Sequence, residues 1–204
     1  MTARALIVID VQDSFRNHPL WRTVSNPDIV DDVNRLVDHA RAQGDLVIWC
    51  LHTEPGTGGV FDPSSGQVAY QQGLREPLPD EPQIRKTSIN AFTTTNLQQI
   101  LTERGICDLA ICGIRTEQCC ETTTRVAADL GYRVTFVVDA TATNPIPHWE
   151  APAGRTPEEI LADPRTLSAE AVIERTLFAL AGRFASIKNI DQVVAEEAEA
   201  AVPR

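Results

Sequence analysis

Short, β-branched apolar runs alternate with segments of helical periodicity along the whole chain, and this alternation restricts the fold more than any other feature. "ALIVIDV" (5–11), "DLVIWCLH" (45–52), "QIRK" (83–86), "LAICGI" (109–114), "RVTFVVDAT" (133–141) and "FASIKNI" (184–190) read as strands. Between and after them, helices are expected over 26–44, 96–105, 117–131, 168–182 and 191–202. In the first of these, Asn26 is the expected N-cap, Pro27 the first helical residue and Gly44 the terminator. Ile29, Val30, Val33, Leu36, Val37 and Ala40 form its apolar stripe. Strands that are apolar on both faces, alternating with helices, require a parallel sheet covered on both sides. Right-handed crossovers then give a doubly wound, three-layer α/β/α fold of Rossmann-like type, six strands in the order 3-2-1-4-5-6. Two stretches rich in Pro and Gly, 53–82 and 142–166, read as loops long enough to carry function.

A chain of 204 residues suits one domain spanning 1–204. Its formal net charge of -10 argues against nucleic acid or an anionic membrane surface as the main partner. No apolar run approaches a membrane span, and "MTARALIVID" lacks a signal-peptide pattern, so a cytoplasmic protein is expected. The five cysteines are odd in number and contain no CxxC, which suits free thiols in a reducing compartment.

In a sheet of this order, ligands bind beyond the carboxyl ends of the strands near the point where strand order reverses. That rule selects Asp10, at the end of strand one, and Cys119, in the first helical turn after strand four. These strands are neighbours, so an acid and a thiol should meet across the crevice. A helix N-terminus would lower the thiol pKa and offer free N–H groups to an oxyanion. Cys120 is turned by about 100° from Cys119 and is assigned to packing. On these residues alone, an inert buried cysteine is the competing reading.

Three separated motifs extend the argument. "ALIVIDVQDSF" contains D-x-Q-x-x-F, with Asp10, Gln12 and Phe15. "KTSINAFTTTNL" places Lys86 before Ala91-Phe92, Thr95 and Leu97. "GIRTEQCCETTTRVAADLGYRV" contains G-x-x-T-x-x-C, with Gly113, Thr116 and Cys119, and a later Gly-Tyr. In this order they resemble the isochorismatase-like cysteine hydrolases over nearly the whole chain. The resemblance implies a catalytic triad of Asp10, Lys86 and Cys119: Lys86 favours the thiolate, Asp10 takes the thiol proton and later activates water, and Cys119 attacks an electrophilic carbon. It also implies an oxyanion hole from the backbone N–H groups of Arg115 and Cys119, and a cis peptide between Ile114 and Arg115. The reaction it implies is cleavage of an amide-like C–N bond of a small molecule through a Cys119 thioester, without a cofactor, in a homo-oligomer. Vinyl-ether hydrolysis of the isochorismate type, a non-catalytic small-molecule-binding protein on the same fold, and a thiol redox sensor are the alternatives. Adjacent cysteines rarely form an unstrained disulfide, which disfavours the last.

Lys86 poses a problem of reach. It ends strand three, so its backbone starts roughly 10 Å from strand one, and the chain is expected to curl back toward the crevice.

The chain departs from the family pattern at several places. "HTEP" (52–55) stands where the family's nicotinamidases carry a metal motif. His52 and Glu54 share one side of an extended segment, but no third ligand is close in sequence and no metal is expected. Arg115 replaces a small residue, Cys120 an aliphatic one, and Asn90 a serine. "GTGG" (56–59) is not a G-x-G-x-x-G and gives no dinucleotide site. Gln12 and Phe15, with His148 and Trp149 of "NPIPHWE" (144–150), are the expected substrate-binding side chains.

Overall fold

The computed structural model describes residues 4–200, and side chains through residue 195. Six strands, β1 (Arg4–Ile9), β2 (Leu46–His52), β3 (Gln83–Lys86), β4 (Asp108–Ile114), β5 (Arg133–Ala142) and β6 (Ser186–Lys188), form one all-parallel sheet in the order β3-β2-β1-β4-β5-β6. The helices are α1 (Asp13–Arg16), α2 (Ile29–Gln43), α3 (Leu97–Glu103), α4 (Glu121–Asp129), α5 (Pro157–Ala162), α6 (Ala169–Leu180) and α7 (Ile190–Ala200). The helix expected over 191–202 runs on to residues outside those described. Among the described residues, no helix is long and apolar enough to cross a membrane.

Alternation along the strands divides the core. Ala5, Ile7 and Ile9 face a layer with Leu97, Leu101, Ala127 and Leu180, drawn from α3, α4 and α6. Leu6 and Val8 face Val33, Leu36, Val37 and Ile190 on α2 and α7. The sheet is therefore buried on both sides, as near-continuous apolar strands demand.

Local signals fared unevenly. Gly44 ends α2 at φ 77°, a conformation glycine adopts without steric cost. The helix begins at Ile29, two residues later than Pro27, because the Asn26 carboxamide accepts the Asp28 N–H in a tight turn and donates to Asp32 and Asp139. One helix, α5, sits in a stretch read as a loop, and it starts with a capping box in which Thr156 accepts from the Glu159 N–H and the Glu159 side chain accepts from the Thr156 N–H.

The long 53–82 segment is pinned to the sheet and to α2. Asp13 N–H donates to Ala69, Gln71 N–H to Val11, and the Asn34 side chain bridges Gly73 and Arg75. At the carboxyl edge, β1 and β4 lie so close that a Cβ on Gly113 would fall 1.9 Å from the Ile9 carbonyl oxygen. Gly113 also has φ 124°, so both space and backbone exclude other residues there. The β4–β5 register slips just beyond Ile111, and β5 bulges beside the same edge.

Candidate active site

Three strand ends converge on one buried cluster. Asp10 follows β1 directly, is fully buried, and holds φ 54°. Positive φ is unusual for a residue with a side chain, although aspartate tolerates it better than most. Its N–H donates to Cys50 and its carbonyl accepts from Gln12 N–H, which fixes the strained turn. Lys86 ends β3 in register with His52 and is also fully buried. Its Nζ lies 2.8 Å from Asp10 Oδ2 and 3.3 Å from Cys119 Sγ. The segment after β2 does return to the crevice, where residues 69–71 pair with 11–13, and from the end of β3 the Lys86 side chain reaches Asp10. Nζ also donates to the Ser88 carbonyl and faces His52 Nδ1, each at 3.3 Å.

Cys119 sits in one turn of π-helix, Thr116–Cys120, that leads into α4. Cys120 N–H donates back to the Arg115 carbonyl five residues earlier, which widens the turn. Thr116 anchors it by donating to the Thr141 hydroxyl at 2.9 Å. The Ile114–Arg115 peptide is cis. Cys119 is 4% exposed, so any approach to its sulfur is narrow, while Cys120 is wholly buried in the layer beneath α4.

Electrostatics around the thiol differ from the sequence expectation. Burial raises the Cys119 pKa well above the ordinary thiol range, and the Asp10 charge adds to that; Lys86 opposes it without prevailing. Burial likewise raises Asp10 above its ordinary 3.8 against the pull of Lys86. Burial disfavours the Lys86 ammonium, but the Asp10 carboxylate 2.8 Å away outweighs it and holds its pKa above normal. The Cys119 thiol and the Asp10 carboxylate meet at the Lys86 ammonium, and the Asp10 charge bears on the thiol. A protonated thiol, a carboxylate of raised basicity and a firmly charged ammonium therefore share one dry site.

His52 was read from sequence as a loop histidine, and its ring in fact touches the cluster. Lys86 Nζ has only hydrogens to offer, so His52 Nδ1 accepts; Nε2 then carries the hydrogen that faces Glu54 Oε1 at 3.3 Å. Both ring nitrogens are engaged, one of them by a cation, and this pair does not suit a metal. Among the described residues, no group of three or more His, Cys, Asp or Glu side chains is gathered around a common point.

The other expected binding residues separate. The Gln12 carboxamide is engaged within the protein: it donates to Ser14 and the His52 carbonyl and accepts from His52 N–H, clamping β1 to β2. Phe15 is buried, edge-on to Phe61 at 5.0 Å, with the Arg115 guanidinium 5.7 Å above its ring. Phe61 in turn meets His52 edge-on at 5.5 Å. Trp149 is not a pocket wall within the chain: it is 87% exposed and stacks on His148, whose other contacts are with Glu150 and Ala151. A broad groove lined by Arg4, Asp45, Arg133 and Phe184 lies at the opposite, amino edge of the sheet, away from these groups.

A parallel α/β sheet thus gathers an acid, a cation and a thiol at its carboxyl edge. An isochorismatase-domain profile matches residues 4–156. The chain is 37% identical over 145 residues to a streptothricin hydrolase of Streptomyces noursei, covering 71% of this chain and 56% of that one. It is 30% identical to nicotinamidase 3 of Arabidopsis thaliana, covering 68% of this chain and 73% of that one. Among solved structures, an isochorismatase of Pseudomonas putida KT2440 superposes with a TM-score of 0.79 at 32% identity, covering 93% of this chain and 89% of that one. The protein belongs to the isochorismatase family of hydrolases.

Proposed function

We propose that the protein is a cysteine hydrolase that cleaves an amide-like C–N bond of a small molecule through a thioester on Cys119. One observation carries this reading: the Lys86 ammonium stands 2.8 Å from Asp10 and 3.3 Å from Cys119 Sγ in a cluster sealed from water. As Sγ attacks the carbonyl carbon, its proton passes to Asp10, whose burial-raised basicity suits the task. Lys86 stabilises the sulfur's developing negative charge. The carbonyl oxygen takes up electron density against the backbone N–H groups of Arg115 and Cys119. Collapse expels the amine, which takes the proton from Asp10. Water then attacks the thioester, giving a proton to Asp10 that returns to the departing thiolate. The names of the streptothricin hydrolase and the nicotinamidase among its relatives fit hydrolysis of this type.

The reading includes a homo-oligomer, supported by four large apolar side chains facing solvent between positions 149 and 178: Trp149, Leu161, Leu167 and Phe178. The catalytic proposal is tested by assaying small amides, ureas and isochorismate with wild type and Cys119→Ala. Turnover of at least one amide or urea is expected, lost by about 10³-fold or more in the variant. Equal rates in both proteins, or turnover of isochorismate alone, would exclude it.

A further inference from the structure

Arg115 begins the turn that carries Cys119, and its side chain is left incompletely satisfied. Its Nε is buried with no hydrogen-bond acceptor, and the guanidinium makes no ion pair among the described residues. The residue as a whole is only half-buried, so the fork keeps an open side. Its defined contact is the Phe15 ring. Glu117 is the acid that faces Arg115: its charge acts on the guanidinium with no hydrogen bond between them, its Oε2 accepts from the Thr143 hydroxyl at 2.5 Å and its Oε1 is buried without a partner, while Asp10 pairs with Lys86. Cys119 and His18 are the other titratable groups that face Arg115, and His18 caps its own turn through the Leu20 N–H. A guanidinium cannot shed its charge to relieve a missing partner. Burial does push its pKa down, as expected for a cation waiting on an anion.

We propose that Arg115 binds a carboxylate or similar planar oxyanion of the substrate, so that the preferred substrates are small amides bearing an anionic group a short spacer away from the scissile carbonyl. This rests on the hydrolase reading above. A carboxylate approaching side-on takes one hydrogen bond from Nε and one from a terminal N–H, which supplies the acceptor Nε lacks. The Phe15–Phe61 edge pair beside the fork is apolar and keeps water from competing.

The test uses Cys119→Ala protein, which cannot turn ligand over, titrated by calorimetry. The probes are malonamate, succinamate and glutaramate, each beside its neutral diamide. At least one acid should bind tenfold or more tightly than its diamide, and Arg115→Met should erase the preference while Arg115→Lys restores part of it. Thermal melts check that each variant is folded, and Arg115→Gln replaces Met if that variant is not. Equal affinity within every pair, no binding of any acid, or a preference that survives loss of Arg115 overturns the assignment. The two proposals fail separately. Cys119-dependent hydrolysis of neutral amides without any preference for anions removes only the role of Arg115. Arg115-dependent anion binding by a protein that hydrolyses nothing removes only the cysteine hydrolase.

Discussion

Two buried carboxylates a few strands apart are treated in opposite ways. Glu81, just before β3, is saturated: Arg41 grips it through Nε and a terminal nitrogen at 2.8 and 2.9 Å, Trp49 donates at 2.7 Å, and Leu78 N–H donates at 2.9 Å. Burial alone would raise its pKa, yet these donors outweigh burial and hold it below 4.5. Asp10, at the carboxyl end of β1, has Lys86 and the Cys119 thiol, and burial wins, holding it above 3.8. A saturated acid is a fastener with no reason to exchange its proton. An undersupplied acid beside a thiol is a base in waiting.

That contrast can be broken by mutation. Asp10→Asn should lower kcat/KM by about 10²–10⁴-fold, while Glu81→Gln should leave kcat unchanged and cost about 1–3 kcal/mol of stability, read by denaturant melts beside steady-state kinetics. If Glu81→Gln proves the more damaging to catalysis, saturation does not distinguish the two roles. His52→Ala comes next: with one acceptor of the Lys86 ammonium removed, kcat should fall about tenfold with little change in KM. His52→Gln should recover part of the loss, and prior chelation of the wild type with EDTA should change nothing.

The pH dependence separates the same two acids by sign and is the smallest effect. Glu81 has a depressed folded pKa, so its contribution to stability is present above 4.5 and is lost as pH falls through the lower folded value. Melting profiles of Glu81→Gln should be flatter on the acid side. Asp10 has a raised folded pKa, so its contribution is present below 3.8 and is lost as pH rises through the folded value. Its ionisation should set the acid limb of kcat/KM, displaced upward from 3.8. A limb at or below 3.8 would mean that the Lys86 charge, not burial, dominates.

The parallel, doubly wound sheet could be read from the sequence because continuous apolar strands alternating with helices must be covered on both faces, and Asp10 and Cys119 followed once the order 3-2-1-4-5-6 was taken for it. Lys86 was accessible only through the resemblance, since nothing in spacing says that a lysine stem will lie across a neighbouring strand. Other features depend on tertiary contacts that no local pattern encodes. The π-turn under Cys119 exists because Cys120 N–H reaches the Arg115 carbonyl. Gln12 looked like a ligand because it follows Asp10, yet His52 consumes its carboxamide. The thiol's raised pKa reflects its burial and the Asp10 charge, which depend on how the chain folds. One signal was legible and missed: Thr156 followed three residues later by Glu159 marks the start of α5 within a proline-rich stretch.

The most direct test of the central claim is the mass of the acid-quenched enzyme during steady-state turnover of an amide, followed by peptide mapping. The account predicts a mass increase equal to the acyl half of the substrate, carried on the peptide containing Cys119 and absent from Cys119→Ala. Turnover with unmodified Cys119, or an acyl group that maps to another residue, would contradict it.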